Sequence, residues 1–300
     1  MQKLDALVVA ALEVSQTPLT LEDLRKFLPA DHVFLTLWPQ VADTAILHPL
    51  QALNLVERLD KALALPGDVI ECGIYQGVTS ILMAKLMGLR QSDKKLILCD
   101  SFQGLPSPDR GVDASQRFQQ GAWAASRQDV EARLAAANVL ERCIIHEGWF
   151  ADTLSALPTD QQFCLAYIDA DLYSSTVDCL AHVWPRLVPQ GIAVFDDYHH
   201  PSGGVRKAVD EFFSASGEVI IAGPASQSTV IKGMHKDNCG KTCHYLGIAN
   251  GMEIVITFDD LRQNPLFCAI INRRLQYLKG YTEQLHQFAG LLQPGQGQAS

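Results

Sequence analysis

Four aspartates fall in two short runs, Asp169-Ala-Asp171 and Asp196-Asp197, and each run follows a stretch of apolar residues, at 163–168 and 191–195. Apolar stretches of that length, apolar on both faces, have the pattern of strands in a buried parallel sheet. If these two strands are neighbours, Asp169, Asp196 and Asp197 converge at one rim. Carboxylates that close repel one another and raise their own pKa values, and a bound cation removes the conflict. All-oxygen ligation suits a hard ion such as Mg²⁺, which keeps waters or substrate oxygens in its shell. The competing structural explanation is that strand-end aspartates cap the helices that follow. It fits Asp171, which precedes Ser174-Ser-Thr176, but not three acids on two strand ends.

A second constellation lies earlier. The run Asp68-Val-Ile-Glu-Cys-Gly73 continues as Ile-Tyr-Gln-Gly77 and then into a helical pattern. Gly73 and Gly77 let backbone approach a ligand with no Cβ in the way. The run Lys95-Leu-Ile-Leu-Cys-Asp100 ends in an acid, placed to accept hydrogen bonds from the two ribose hydroxyls of an adenosine. A dinucleotide site would show G-x-G-x-x-G, whose glycines serve a diphosphate. Here the spacing is G-x-x-x-G and an acid precedes it. S-adenosylmethionine carries an ammonium and a sulfonium and no phosphate, so acidic company suits it. A glycine pair standing alone would fit a tight turn in any α/β protein equally well.

These residues need a scaffold. Together with Arg142-Cys-Ile-Ile-His146, the apolar runs alternate with helical patterns at about 77–90, 126–138, 174–187 and 203–214. Such alternation predicts βαβ units in a doubly wound, mostly parallel α/β sheet. With a closing pair of strands at 218–223 and 228–232, the expected sheet has seven strands. Residues 1–66 read as a helical N-terminal cap. Leu4, Leu7, Val8, Ala11 and Leu12 share a face, Thr20 with Asp23 resembles a capping box, and an amphipathic run over 50–63 stops at Pro66-Gly67. The α/β domain spans 67–235. Residues 236–300 form a C-terminal extension with no readable role, containing a possible strand at 252–258 and amphipathic helices over 262–289. The apolar faces within 1–60 and 262–289 exceed what the α/β core needs, which predicts a homo-oligomer, most simply a twofold dimer.

Composition narrows the partners. The 300 residues are 48% hydrophobic and 19% charged, as in an ordinary globular enzyme. The formal net charge of −9, with no long basic run, argues against nucleic acid as a partner, because phosphate binding needs a Lys/Arg surface. No apolar stretch approaches the roughly 20 residues of a membrane span. Cys72, Cys99, Cys164 and Cys179 sit in apolar runs and read as buried, reduced thiols, consistent with a cytoplasmic protein. Cys239-Gly-Lys-Thr-Cys243-His244 lacks the rest of a four-ligand zinc set.

Five segments, taken in order, resemble the macrocin O-methyltransferase-like family, whose members methylate sugar hydroxyls in macrolide and aminocoumarin antibiotics. They are Pro66-Gly-Asp-Val-Ile-Glu-Cys-Gly-Ile-Tyr-Gln-Gly77, Asp100-Ser-Phe-Gln-Gly-Leu-Pro106, Gly148-Trp-Phe-Ala-Asp-Thr-Leu154, Ile168-Asp-Ala-Asp-Leu-Tyr-Ser-Ser-Thr176 and Phe195-Asp-Asp-Tyr198. The resemblance implies an S-adenosylmethionine-dependent methyltransferase fold, with the cofactor across Glu71, Gly73, Tyr75, Gly77, Asp100, Ser101, Trp149 and Asp169. It places the Trp149-Phe150 loop near the adenine, Mg²⁺ on Asp169, Asp196 and Asp197, and a general base at Asp171. The helix before Pro66 would help cover cofactor and substrate. The chain departs from the family in Tyr75-Gln76-Gly77-Val78, where members carry a bulkier Trp and an Arg with a second Gly, and in Ala170, where Gly is common. His146, His199 and His200 match no family feature. The expected function is metal-dependent O-methylation of a small-molecule hydroxyl acceptor, a sugar or other polyol. Two neighbouring substrate oxygens on one metal would favour a vicinal diol. Of the alternatives, a nicotinamide-dependent oxidoreductase conflicts with the glycine spacing. A non-catalytic binding protein of the same fold would have no use for clustered like charges.

Overall fold

The computed structural model describes residues 21–25, 28–200, 203–223, 226–235, 243–249 and 252–257. The expected face over Leu4–Leu12, the capping box at Thr20 and the helices over 262–289 lie outside these residues. Among them, nine strands form one sheet in the order β3-β2-β1-β4-β5-β7-β6-β9-β8. The strands are β1 (Asp68–Cys72), β2 (Leu96–Asp100), β3 (Cys143–Glu147), β4 (Phe163–Ile168), β5 (Leu187–Phe195), β6 (Glu218–Ala222), β7 (Ser228–His235), β8 (Cys243–Ala249) and β9 (Met252–Thr257). The first five are parallel, and β7 enters antiparallel between β5 and β6. These seven are the doubly wound sheet that the alternating pattern predicts. The hairpin β8–β9 extends it through one parallel pairing, Ile221 with Val255.

Among the described residues, five helices of ten residues or more accompany the strands: α1 (Pro49–Ala62), α2 (Val78–Leu89), α3 (Arg127–Ala136), α4 (Tyr173–Val183) and α5 (Gly204–Phe213). Strand side chains alternate between faces, so each strand feeds two cores. Val69, Leu96, Leu98, Leu165, Tyr167 and Val194 pack on one face with α1, α2 and α3. Ile70, Cys72, Ile97, Cys99, Ala166, Ile168 and Phe195 pack on the other with α4 and α5. Burial on both faces explains why these strands read as continuous apolar runs. β5 begins at Leu187, earlier than its apolar run, because Leu187 pairs with Phe163 before the chain kinks through Pro189-Gln190-Gly191, where Gln190 has φ 64°. Pro at such an irregularity leaves the ladder intact on either side.

The chain runs β1, β2, β3 to one side and resumes at β4 on the other. The carboxyl ends of β1 and β4 therefore flank the switch point, where ligands bind in open α/β sheets. The helix α1 is more than a cover. His48 and Gln51 cap its N-terminus reciprocally, and Leu53, Leu55, Val56 and Leu59 are buried in the core it shares with α2 and the sheet. Its apolar face is thus occupied by the chain itself and is not free for a second copy. Replacing the fully buried Leu59 by Ala should cost about 2–5 kcal/mol, as core truncations do. Urea unfolding would show this as a lower midpoint with an unchanged slope, and a loss under about 1 kcal/mol would mean α1 is peripheral to the core.

Candidate active site

A cavity of about 610 Å³ opens at the switch point. Its floor comes from the turns after β1, β2, β4 and β5, its sides from residues 46–51, the 101–126 connection and Gly148–Phe150. Among the residues expected at the site, Gly73, Tyr75, Asp100, Ser101, Trp149, Asp169, Asp171, Asp196 and Asp197 all line it. Glu71 and Gly77 do not. They build the wall from behind.

The turn after β1 is held by backbone hydrogen bonds to a single acid. Gly73 has φ 89°, and a Cβ there would lie 1.9 Å from the carbonyl oxygen of Asp169, so only glycine lets β1 and β4 close so tightly. Asp100 Oδ2 accepts the backbone N–H of Ile74 at 2.7 Å and of Tyr75 at 3.2 Å, while Oδ1 accepts that of Phe102 at 2.8 Å. One acid thus ties together the loops after β1 and β2, and Oδ1 retains a lone pair for a further donor. Glu71 is wholly buried, and its two oxygens accept the hydroxyls of Thr79 and Ser80 in the first turn of α2. It pins that helix to the strand, while Gly77 supplies the left-handed residue at the helix entry. Burial pushes the Glu71 carboxyl up from about 4.5 to about 8, against the smaller opposing effect of the two hydroxyls.

Ile168 of β4 pairs with Phe195 of β5, so the residues that follow each strand emerge side by side. Carboxylate oxygens of Asp169, Asp171 and Asp197 lie within 4.8 Å of one another. Asp196 is at the same rim but is engaged from other directions. Its Oδ1 accepts Gln51 Nε2 of α1 at 2.8 Å and Ser226 Oγ at 3.4 Å, and its Oδ2 accepts the Tyr167 hydroxyl at 2.9 Å. Burial, then the neighbouring carboxylates, push Asp169 and Asp171 well above the usual range. Asp196 is raised to about 6 by burial and by Asp197, with Tyr167 and Gln51 opposing. Such a set holds protons in the absence of a counter-ion, and a divalent cation would displace them. The donors are all oxygens, and Arg117 is the one Lys or Arg side chain lining the cavity among the described residues. The residues fit a hard divalent ion.

The backbone shows the same concentration. Tyr75, Trp123, Asp171 and Asp197 have φ of 46°, 61°, 59° and 54°, and all four line the cavity. Non-glycine residues occupy this region only where neighbours over-determine it, as at binding sites.

Several lining residues carry no signal in the motifs. Gln51 acts on Asp196 from 145 positions away. Tyr167 does have a signal, since strand alternation puts it on the face of Asp169 two residues later. Arg117, Phe118 and Trp123 come from the connection between β2 and α3, whose 26 residues are long for a compact domain and so mark a functional loop. Arg117 sits over the Trp123 ring at 5.9 Å, and Trp123 meets Tyr75 edge-on at 5.7 Å. Of the unassigned histidines, His200 lines the cavity and packs on Phe118 at 5.2 Å. His146 is on β3 and His199 is turned against Tyr198, both away from the cavity.

The Glu71 carboxyl predicts a pH dependence. Its folded pKa lies above its unfolded value, so it contributes stability in full below about pH 4.5 and loses it as pH rises through about 8. Thermal unfolding of the metal-free protein should therefore fall between pH 6 and pH 9 more steeply than that of Glu71→Gln, which stays neutral. Parallel curves would contradict the assignment.

Comparison with known proteins agrees with this architecture. The profile of the macrocin-O-methyltransferase (TylF) family matches residues 26–220. A tetracenomycin-C 4'-O-methyltransferase of Streptomyces olivaceus, acting on an 8-demethyl-8-(2,3-dimethoxy-alpha-L-rhamnosyl) derivative, is 34% identical over 169 residues, 54% of this chain and 64% of the relative. Mycinamicin III 3''-O-methyltransferase of Micromonospora griseorubida is 32% identical over 187 residues, 58% of this chain and 72% of the relative. The first of these matches thus spans just under two thirds of the relative's length. Among solved structures, the O-methyltransferase NovP superposes with a TM-score of 0.56 at 25% identity, covering 63% of this chain and 81% of NovP. The calicheamicin methyltransferase CalS11 superposes at 0.55 and 20% identity, covering 77% and 92%, a likeness of fold. With a profile that matches from before α1 to within β6, over all five parallel strands and the acids at their ends, the chain belongs to the macrocin-O-methyltransferase (TylF) family.

Proposed function

We propose that this protein transfers the methyl group of S-adenosylmethionine to a hydroxyl of a small polyol, a sugar or glycoside, with the help of a divalent ion, Mg²⁺. The observation that carries the reading is the meeting, in one cavity, of the Gly73 turn braced by Asp100 with four carboxyls at the ends of β4 and β5. The two curated relatives named above are O-methyltransferases, one of them acting by name on a rhamnosyl-bearing tetracenomycin.

In this reading Asp100 Oδ1 accepts a ribose hydroxyl, and Ser101, Tyr75 and Trp149 frame the nucleoside. Asp169, Asp196 and Asp197 hold the metal, with Asp196 aimed by Gln51 and Tyr167. A bound divalent ion would supply positive charge that lowers the pKa of the acceptor hydroxyl. Asp171 takes the hydroxyl proton as the oxygen–methyl bond forms and the sulfur–methyl bond breaks, leaving S-adenosylhomocysteine. Loop 101–126 and residues 46–47 exclude water from an in-line displacement that depends on alignment. One observation favours a second assignment of the acids, with Asp171 a ligand in place of Asp196, namely the approach of Asp169, Asp171 and Asp197 oxygens within 4.8 Å.

Calorimetry should show binding of S-adenosylmethionine and S-adenosylhomocysteine and none of NAD. Tight NAD binding with no response to the other two would sink the proposal. A screen of glycosides and polyols with labelled cofactor, with and without chelator, identifies the acceptor and tests the metal. Asp196→Ala or Asp197→Ala should weaken Mg²⁺ binding, with activity partly restored by excess metal. Asp171→Asn should keep metal and cofactor affinity and lose turnover by roughly 10²- to 10⁴-fold, as when a general base is removed. Loss of metal binding in Asp171→Asn would select the second assignment. The proposed homo-oligomer now rests on the sequence pattern over Leu4–Leu12 and 262–289, and a monomer by light scattering at micromolar concentration would refute it.

A further inference from the structure

Asp113 lies in the connection between β2 and α3, and none of the chemistry above uses it. It is completely buried. Its Oδ1 accepts the backbone N–H of Tyr173, the first residue of α4, at 3.0 Å. Leu172, the N-cap of that helix, offers no side-chain acceptor, so Asp113 supplies the cap from elsewhere in the chain. On the other side Gly204, the first residue of α5, closes on the same carboxylate. A Cβ at Gly204 would lie 2.0 Å from Asp113 Oδ1 and 3.2 Å from the Tyr173 nitrogen. The same loop packs Leu105 and Phe118 against the buried Leu172. Arg110 braces it by donating to the carbonyls of Ser115 and Phe118.

These contacts seize the two residues that follow Asp171. Asp171 has φ 59°, a left-handed conformation that a residue with a Cβ adopts only under restraint from its surroundings. Leu172 is gripped by the loop's apolar side chains and Tyr173 by the loop's carboxylate. We propose that Asp113 is a positioning residue for Asp171, holding its backbone in the left-handed turn by capping α4, so that seating of the 101–126 loop and alignment of the base are one event. This rests on the methyl-transfer reading, in which Asp171 is the base. The loop also carries Arg117 and Trp123 into the cavity, so the cap couples the acceptor side of the site to the proton acceptor.

The test uses the full chain with Asp113→Ala, Asp113→Asn and Gly204→Ala. Asp113→Ala should lower kcat by about a hundredfold, the scale of a catalytic group displaced by an ångström, on an acceptor found in the screen. Affinities for S-adenosylhomocysteine and for Mg²⁺ should stay within roughly threefold, and exchange of the Tyr173 amide should rise by about tenfold or more. Asp113→Asn keeps an oxygen for that N–H and should restore kcat, while Gly204→Ala, which pushes on the carboxylate from behind, should reproduce the Ala phenotype. The inference is overturned if kcat and Tyr173 exchange are unchanged, if cofactor affinity falls along with kcat, or if Asn fails to rescue. Should Asp113→Ala not fold, Gly204→Ala carries the same readouts. If the unaltered protein methylates no acceptor, the methyl-transfer reading has failed, and the Tyr173 exchange still decides whether Asp113 holds the turn.

Discussion

Bringing four carboxyls together at the ends of two hydrogen-bonded strands is the constraint to which most of this structure answers. Desolvation and mutual repulsion both oppose their ionisation, so each acid needs a donor, a proton or a cation. Asp196 receives Gln51 from α1 and Tyr167 from β4. Asp171 and Asp197 bring carboxylate oxygens within 4.8 Å of each other from left-handed turns. The contact with Gln51 also explains why α1, remote in sequence, is embedded in the core. A helix that aims a donor at a buried acid has to be as rigid as the strands, and Leu55 and Leu59 make it so.

The opposite side of the cavity is built on a different economy. There the chain offers backbone and one shared acid. Asp100 draws two loops together through three N–H groups, and Glu71 fastens α2 beneath them. A buried carboxyl with a pKa near 8 fulfils that role as a neutral group at moderate pH, accepting hydroxyls without presenting a full charge to Asp169 across the turn. An acid that precedes a glycine turn is easily taken for a ligand group. Here the geometry makes it a fastener, while Gly73, Tyr75 and Asp100 line the cavity.

Membership of the TylF family accounts for the strand ends, and the rest of the cavity wall comes from other parts of the chain. Arg117, Phe118, Trp123 and His200 line the cavity from the long β2–α3 connection and the turn after β5. Their contacts to one another are aromatic and cation–π, which tolerate exchange of side chains better than a ligand set of fixed oxygens does. Loops of this kind can change with the substrate while the acids stay in place.

The sequence by itself determined the sheet. Apolar runs buried on both faces, separated by helical patterns, leave little choice but a doubly wound parallel order, and strand ends bearing Gly73, Asp100, Asp169 and Asp196 must then gather at one edge. That much is local, since a strand's two-residue period and its last residue are written in adjacent positions. The tertiary structure alone decided what each acid does. Asp196 and Asp197 are neighbours in the chain, yet Asp196 faces Gln51 and Tyr167 while Asp197, in a left-handed turn, brings an oxygen to those of Asp169 and Asp171. Glu71, read from the sequence as a cofactor-binding residue, has its oxygens on the hydroxyls of Thr79 and Ser80, where strand alternation and the seat of α2 place them. Gln51 and Asp113 had no motif at all. A hydrogen bond between residues 145 or 60 positions apart leaves no trace in local pattern, and it forms only after the helices that carry its partners have packed.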